Sequence, residues 1–242
     1  MTLEVDRTFE TQNQGNGWPN GTPRAVMIHA TRSGQPNRRS LAGHKRETTS
    51  TINWFLSPAS GASSNLIISP VEIVRMVSDE DYAWHAVEHS AWMWSIETTQ
   101  ALPDDPYLDG HYELLARAGR YYVSRGVPPV YLPHFSNGME GFTGHEDSEQ
   151  GVRVGKSDPG QEFDWDRFIA MIQQPEVQED EDMFATMIKI EGDNPHYRTY
   201  LWRHGREPLH MRSAEMHTET ANLYGIPSKT ITVSRATIDA VR

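Results

Sequence analysis

No apolar run in this 242-residue chain is longer than a β-strand, and the runs alternate with stretches of helical spacing. A membrane-spanning helix needs about 18 or more consecutive apolar residues, so none is expected. Strand-length signals fall at residues 24–30 (RAVMIHA), 65–69 (NLIIS), 71–77 (VEIVRMV) and 93–98, with Pro70 breaking the second from the third in hairpin fashion. Helical stripes fall at 48–56, 108–124 and 164–173. Residues 1–22, 31–47 and the Pro/Gly-rich segment 126–144 read as loops. This order, with few regular βαβ units, predicts an α/β fold: a mixed central β-sheet flanked by helices.

Beyond an acidic, Pro-containing stretch (PEVQEDED) the pattern changes. There follow a strand at 183–192, a hairpin around His204–Gly205, a short helix at 213–225 with Ser213 as its N-cap and Gly225 as its stop, and a final strand at TITVS. The expected organisation is an N-terminal arm (1–22), a main domain (23–174), an acidic linker (175–182) and a small C-terminal α+β module (183–242).

The net charge is −11, and since the charges of residues 181–242 cancel, the first 180 residues carry all of it. An acidic body repels phosphate, which argues against nucleic acid and anionic lipid as partners. The start, MTLEVDRTFETQNQGNG, lacks the basic and apolar regions of a signal peptide. There is no cysteine, so any metal site must draw on His, Asp and Glu.

Four separated pieces carry such residues. His29 ends the strand in VMIHATRSG; His85 lies in AWHAVEHSAWMWSIE, which closes on Glu97; His145 stands in GHED; Lys156 and Asp158 stand in KSDPG, with FDW downstream. Catalytic zinc takes three protein ligands and leaves its fourth position to water, and two imidazoles with a carboxylate suit it. Any one piece alone is a weak signal, because a histidine at a strand end or a DPG turn is common in structural roles.

Taken in order, the pieces resemble the type 2 family of zinc N-acetylmuramoyl-L-alanine amidases, which includes phage endolysins, bacterial recycling amidases and peptidoglycan recognition proteins. The resemblance covers about residues 24–170: IHATRSG, AWHAV for the family's AWHAG, SIE, GHED, KSDPG and EFDWDRF. It implies that His29, His145 and Asp158 hold one Zn²⁺, that Glu97 is the general base, that Lys156 stabilises the oxyanion, and that Trp84 and His85 line the substrate groove. The implied reaction is hydrolysis of the amide between N-acetylmuramic acid and L-alanine in peptidoglycan. The chain departs from the pattern where Ser64 and Asn65 replace a His-Tyr pair, Val87 replaces the AWHAG glycine, Ser90 replaces an asparagine, and the 145–158 loop is longer.

Within this resemblance, a phage-type endolysin released after synthesis in the host cytoplasm, or carried on a virion, is the expected role. A cytoplasmic muropeptide-recycling amidase and a non-catalytic peptidoglycan-binding protein are the alternatives. The remaining histidines read as surface or core residues, with His134 close enough in sequence to GHED to reach the groove. The C-terminal module is expected to bind the cell wall or to drive assembly.

Overall fold

The computed structural model describes residues 2–35 and 40–174 with their side chains, and beyond them the backbone of four strands at 186–190, 199–202, 209–211 and 231–233. The chain divides into two compact units, Met1–Glu176 and Val177–Arg242. Among the described residues no helix is long and apolar enough to cross a membrane.

The first unit is built from β1 (Arg7–Thr8), β2 (Gln14–Gly15), β3 (Ala25–Ala30), α1 (Leu41–Leu56), β4 (Leu66–Ile68), β5 (Ile73–Arg75), β6 (Tyr82–Ala83), β7 (Trp94–Thr98), α2 (Asp109–Ser124), β8 (Gly141–Gly144), α3 (Glu149–Val154) and α4 (Trp165–Gln173). Six strands form a mixed sheet in the order β1-β5-β4-β7-β3-β8. The hairpin expected around Pro70 is the antiparallel pair β4–β5, while β4, β7, β3 and β8 run parallel. Every residue of β3 is buried, as expected of a central parallel strand covered on both faces.

Side-chain alternation assigns the faces. Val26, Ile28, Leu66, Ile68, Trp94 and Ile96 pack with Leu115, Ala118 and Tyr122 of α2 and Phe168 and Ile172 of α4 in the largest core. Trp94 stacks on Tyr122 with ring centroids 4.9 Å apart. Ile67 and Val74 meet Ile52 and Phe55 of α1 on the opposite face. His29 shares the parity of Met27, and Glu97 that of Ser95, so both lie on the face away from α2.

Four expectations change. The loop expected over 31–47 ends early: α1 starts at Leu41, with Ser40 accepting from the Gly43 N–H as N-cap. The first turns of α1 bury His44, Glu47 and Thr48, a polar inner face that hydrophobic periodicity does not register. The loop expected over 126–144 closes in β8, whose four residues GFTG carry no alternation and owe their strand state to pairing with β3. Residues 149–154, expected as loop, form α3, capped by Ser148 and stopped by Gly155 at φ 73°. Residues 1–22 do not stand apart from the domain: β1 pairs with β5 at the sheet edge, Leu3 is buried in the large core, and Trp18 packs against Trp94.

The second unit contains a four-stranded sheet of β9 (Thr186–Ile190), β10 (Thr199–Trp202), β11 (Leu209–Met211) and β12 (Ile231–Val233) in the order β11-β10-β9-β12. β9–β10–β11 is antiparallel, and β12 joins β9 in parallel. The acidic linker, the turn at His204–Gly205 and the helix expected at 213–225 lie outside the described residues.

Candidate metal centre and active site

Three adjacent parallel strands, β7, β3 and β8, end at one edge of the sheet. Glu97 stands near the end of β7, His29 near the end of β3, and His145 directly after β8. Open sheets of this kind place ligands at the carboxyl ends of their parallel strands. The fourth contributor, Asp158, arrives on the loop after α3.

His29 Nδ1 lies 3.1 Å and His145 Nδ1 3.4 Å from Asp158 Oδ2. All three residues are buried, and their ligand atoms fall within 4.8 Å of one another. The far ring nitrogens are held as well: His29 Nε2 is 3.0 Å from His85 Nδ1, and His145 Nε2 is 2.8 Å from Gln150 Oε1. With both Nε2 atoms protonated they donate outward, and both Nδ1 lone pairs then face the carboxylate. Three acceptors gathered so closely need a proton or a cation between them. Ligands at about 2.1 Å from a tetrahedral zinc ion lie about 3.4 Å apart, which matches the spacing around Asp158. The donor set and its geometry therefore fit a zinc ion.

Burial, helped by the neighbouring His145, lowers the His29 pKa to about 4, so its imidazole is neutral at physiological pH. Burial also pushes His85 down, reinforced by His29. At Asp158 burial acts upward, but the two imidazoles at its carboxyl outweigh it and hold the group below the usual carboxylate range. Neutral imidazole and ionised carboxylate are the protonation states that metal ligation requires.

The supporting contacts come from α3, which the sequence did not disclose, and from loops around the strand ends. Gln150 sits on α3, and its N–H donates to His89 Nε2 at 3.3 Å. His89 Nδ1 is 2.6 Å from Asn137 Oδ1. Gly151 allows α3 to press against the His145 backbone, since a Cβ there would stand 1.8 Å from the His145 carbonyl oxygen. The Asp158 loop is tied to the strand ends in two ways. Tyr107 OH donates to Pro159 O at 3.2 Å and contacts Thr98 Oγ1, which donates to His29 O at 2.6 Å. Arg32 Nη2 donates to Ser157 O and Pro159 O.

A cavity of about 460 Å³ opens over the cluster, and Glu97 and Lys156 line it beside the three candidate ligands. Burial pushes the Glu97 pKa from 4.5 to about 8, with the Asp158 charge adding to the rise and Lys156 opposing it. Trp84, 41% exposed, and His85 line the cavity too. Trp84 is held at its backbone by Ser63, whose N–H donates to Trp84 O and whose hydroxyl accepts from Trp84 N. His85 also supports a candidate ligand rather than joining the cluster, its Nδ1 lying against His29 Nε2. His134 does not line the cavity and lies 3.9 Å from Glu149. His44, His89 and His111 are buried and hydrogen-bonded.

The site can hold one divalent cation with a carboxyl group and an ammonium group facing the same space. That arrangement suits attack by water on a polarised carbonyl.

Comparison with solved structures finds similar folds. A selenomethionine derivative of AmpD is 19% identical, covers 71% of this chain and 99% of its own, and superposes with a TM-score of 0.51. The endolysin N-acetylmuramoyl-L-alanine amidase LysCS from Clostridium intestinale is 13% identical, covering 72% of this chain and all of its own, with a TM-score of 0.45. The catalytic domain of XlyA is 15% identical, covering 68% and 98%, with a TM-score of 0.47. No curated relative matches the chain. The family model described as N-acetylmuramoyl-L-alanine amidase matches residues 19–161, more than half of the sequence and all of the strands that carry the cluster. The chain belongs to the N-acetylmuramoyl-L-alanine amidase family.

Proposed function

We propose that this peptidoglycan amidase is zinc-dependent and acts on assembled cell wall, as an endolysin-type hydrolase, at the bond between N-acetylmuramic acid and L-alanine. The observation that carries the catalytic reading is the meeting of His29, His145 and Asp158 with Glu97 and Lys156 on one cavity. His29, His145 and Asp158 hold the ion. The chemistry a bound zinc ion supplies is polarisation of the scissile carbonyl and a water whose pKa falls toward about 7. Glu97 takes the proton of the attacking water and passes it to the leaving alanine nitrogen. Its raised affinity for a proton suits the second half of that task, and the Lys156 charge tempers it. Lys156 faces the oxygen on which negative charge develops. Trp84 offers an exposed indole to the sugar or peptide at the cavity mouth.

Support for action on the wall comes from the second compact unit, Val177–Arg242, which lies beyond the amidase match and has its own sheet. In this reading residues 23–174 form the catalytic domain, 175–182 a linker and 183–242 a wall-binding module. A one-domain recycling enzyme working on soluble muropeptide has no need of such a unit.

The test is digestion of purified sacculi and, separately, of soluble anhydro-muropeptide, with and without a chelator, followed by mass analysis. New N-terminal alanine from sacculi, lost on metal stripping, supports the proposal. Turnover of the soluble substrate alone assigns the protein to recycling, and binding without release makes it a recognition protein. Co-sedimentation with sacculi, compared between the full chain and residues 1–176, tests the role of the second unit.

A further inference from the structure

Arg32 stands three residues beyond His29, and two unfavourable features meet in it. Its backbone is left-handed, at φ 49°, a region that residues with a Cβ rarely enter. Its Nε and Nη1 are buried with no hydrogen-bond partner among the described residues, although buried N–H groups are nearly always satisfied. Such features persist where the surroundings demand them, and an observed outlier of this kind points to function.

What the side chain gains is the loop that carries Asp158. Arg32 Nη2 donates to Ser157 O at 3.0 Å and to Pro159 O at 2.9 Å, the carbonyls on either side of Asp158. The Arg32 N–H is fixed in turn to Gln100 O at 2.9 Å, just past β7. One residue thus ties the ends of the strands bearing His29 and Glu97 to the loop bearing Asp158. Gly160 leaves room for it: a Cβ there would lie 2.6 Å from Arg32 Nη2. Beyond the clamp the loop is bound to the segment after β8, where Glu146 N donates to Asp158 O and Gly160 N donates to Glu146 Oε1, both at 2.9 Å.

We infer that Arg32 is a positioning residue for the metal centre, holding the Ser157–Pro159 backbone so that the Asp158 carboxylate stays at its 3.1 Å and 3.4 Å spacings from the two imidazoles. The inference rests on the zinc reading for its chemistry and on the loop contacts alone for its geometry. Arg32 acts through the backbone on either side of Asp158. Its loss therefore acts first on metal binding and turnover rather than on substrate affinity.

The experiment compares the full-length wild type with Arg32→Ala and Arg32→Lys. Zinc affinity is measured by chelator competition, the visible spectrum is recorded on the Co²⁺-substituted protein, and amide exchange is followed at Glu146 and Gly160. Arg32→Ala is expected to lose 10-fold or more in zinc affinity, in the range typical when partners supporting a metal ligand are removed. It should also show an altered Co²⁺ spectrum, a lowered kcat with KM within twofold, and faster exchange at both amides. Lysine, which keeps the charge with a slightly shorter reach, should recover part of each, and added methylguanidinium should recover part of the alanine variant's turnover. Arg32→Ala with wild-type zinc affinity, spectrum and exchange overturns the inference. If the alanine variant does not fold, the lysine variant decides: wild-type values overturn the inference, and a threefold or greater loss in zinc affinity with faster exchange supports it. A wild type that takes up no zinc defeats the proposed function, while exchange at Glu146 and Gly160 in the metal-free proteins still reads the clamp.

Discussion

His29 and Glu97 are direct register partners in the parallel pair β3–β7, one strand apart on the same face of the sheet. Partners in register point the same way, so the candidate ligand and the candidate base are fixed relative to each other by backbone hydrogen bonds rather than by a loop. Their separation is set by the sheet, and Glu97 can be changed without moving His29.

Glu97→Gln should therefore keep the site intact and stop the chemistry. We expect zinc affinity within a few-fold of wild type and a fall in turnover of about 10²- to 10⁴-fold, the usual contribution of a general acid–base group. Chelator competition and single-turnover digestion of sacculi check it. Near-normal turnover would assign the base elsewhere.

The same residue gives a pH signature in the metal-free protein. Burial raises the Glu97 carboxyl to about 8 in the folded state, so the folded protein keeps this proton when the unfolded chain has lost it. The contribution to stability is complete below pH 4.5 and is lost as pH climbs through about 8. The wild type should therefore lose stability relative to Glu97→Gln across that window, by urea midpoints in chelator. A constant difference between the two would refute the shift.

Lys156 is exposed, so its replacement by Ala should change stability by no more than about 0.5 kcal/mol. If it faces the developing oxyanion, kcat should fall by about 10²- to 10³-fold. A rise in KM alone would move it to substrate binding.

Gln150 accepts from the ring nitrogen of His145 opposite the one that faces Asp158. Gln150→Leu should weaken zinc binding by about 10- to 100-fold. Gln150→Glu, which makes the imidazole more basic, should strengthen it. Equal zinc affinities in all three proteins would show that the contact does not tune the site.

Val87 is 78% exposed and has a left-handed backbone, at φ 47°. A β-branched residue is disfavoured there. Val87→Gly should raise stability by about 1 kcal/mol, read as a higher urea midpoint at unchanged m-value. A lower midpoint would mean that the valine makes contacts worth more than the strain.

The alternation and helical stripes of the chain were enough to give the mixed sheet, α2, α4 and the hairpin at Pro70, because those elements bury apolar side chains at regular intervals. The order of chemically distinctive residues nominated His29, His145, Asp158, Glu97 and Lys156 through the resemblance that it carries to the zinc amidases, since each piece alone is a weak signal. The sequence could not reveal the first turns of α1, which bury His44, Glu47 and Thr48, nor β8, whose strand state comes from its partner β3. Nor could it show which partners His85, Gln150 and Arg32 take at the site. The contacts of His85 and Arg32 join residues 56 and 125 to 127 positions apart, and such distances close only when the sheet assembles and brings the ends of β7, β3 and β8 to one edge; Gln150, five positions from His145, reaches it through α3, a short helix that hydrophobic periodicity does not register.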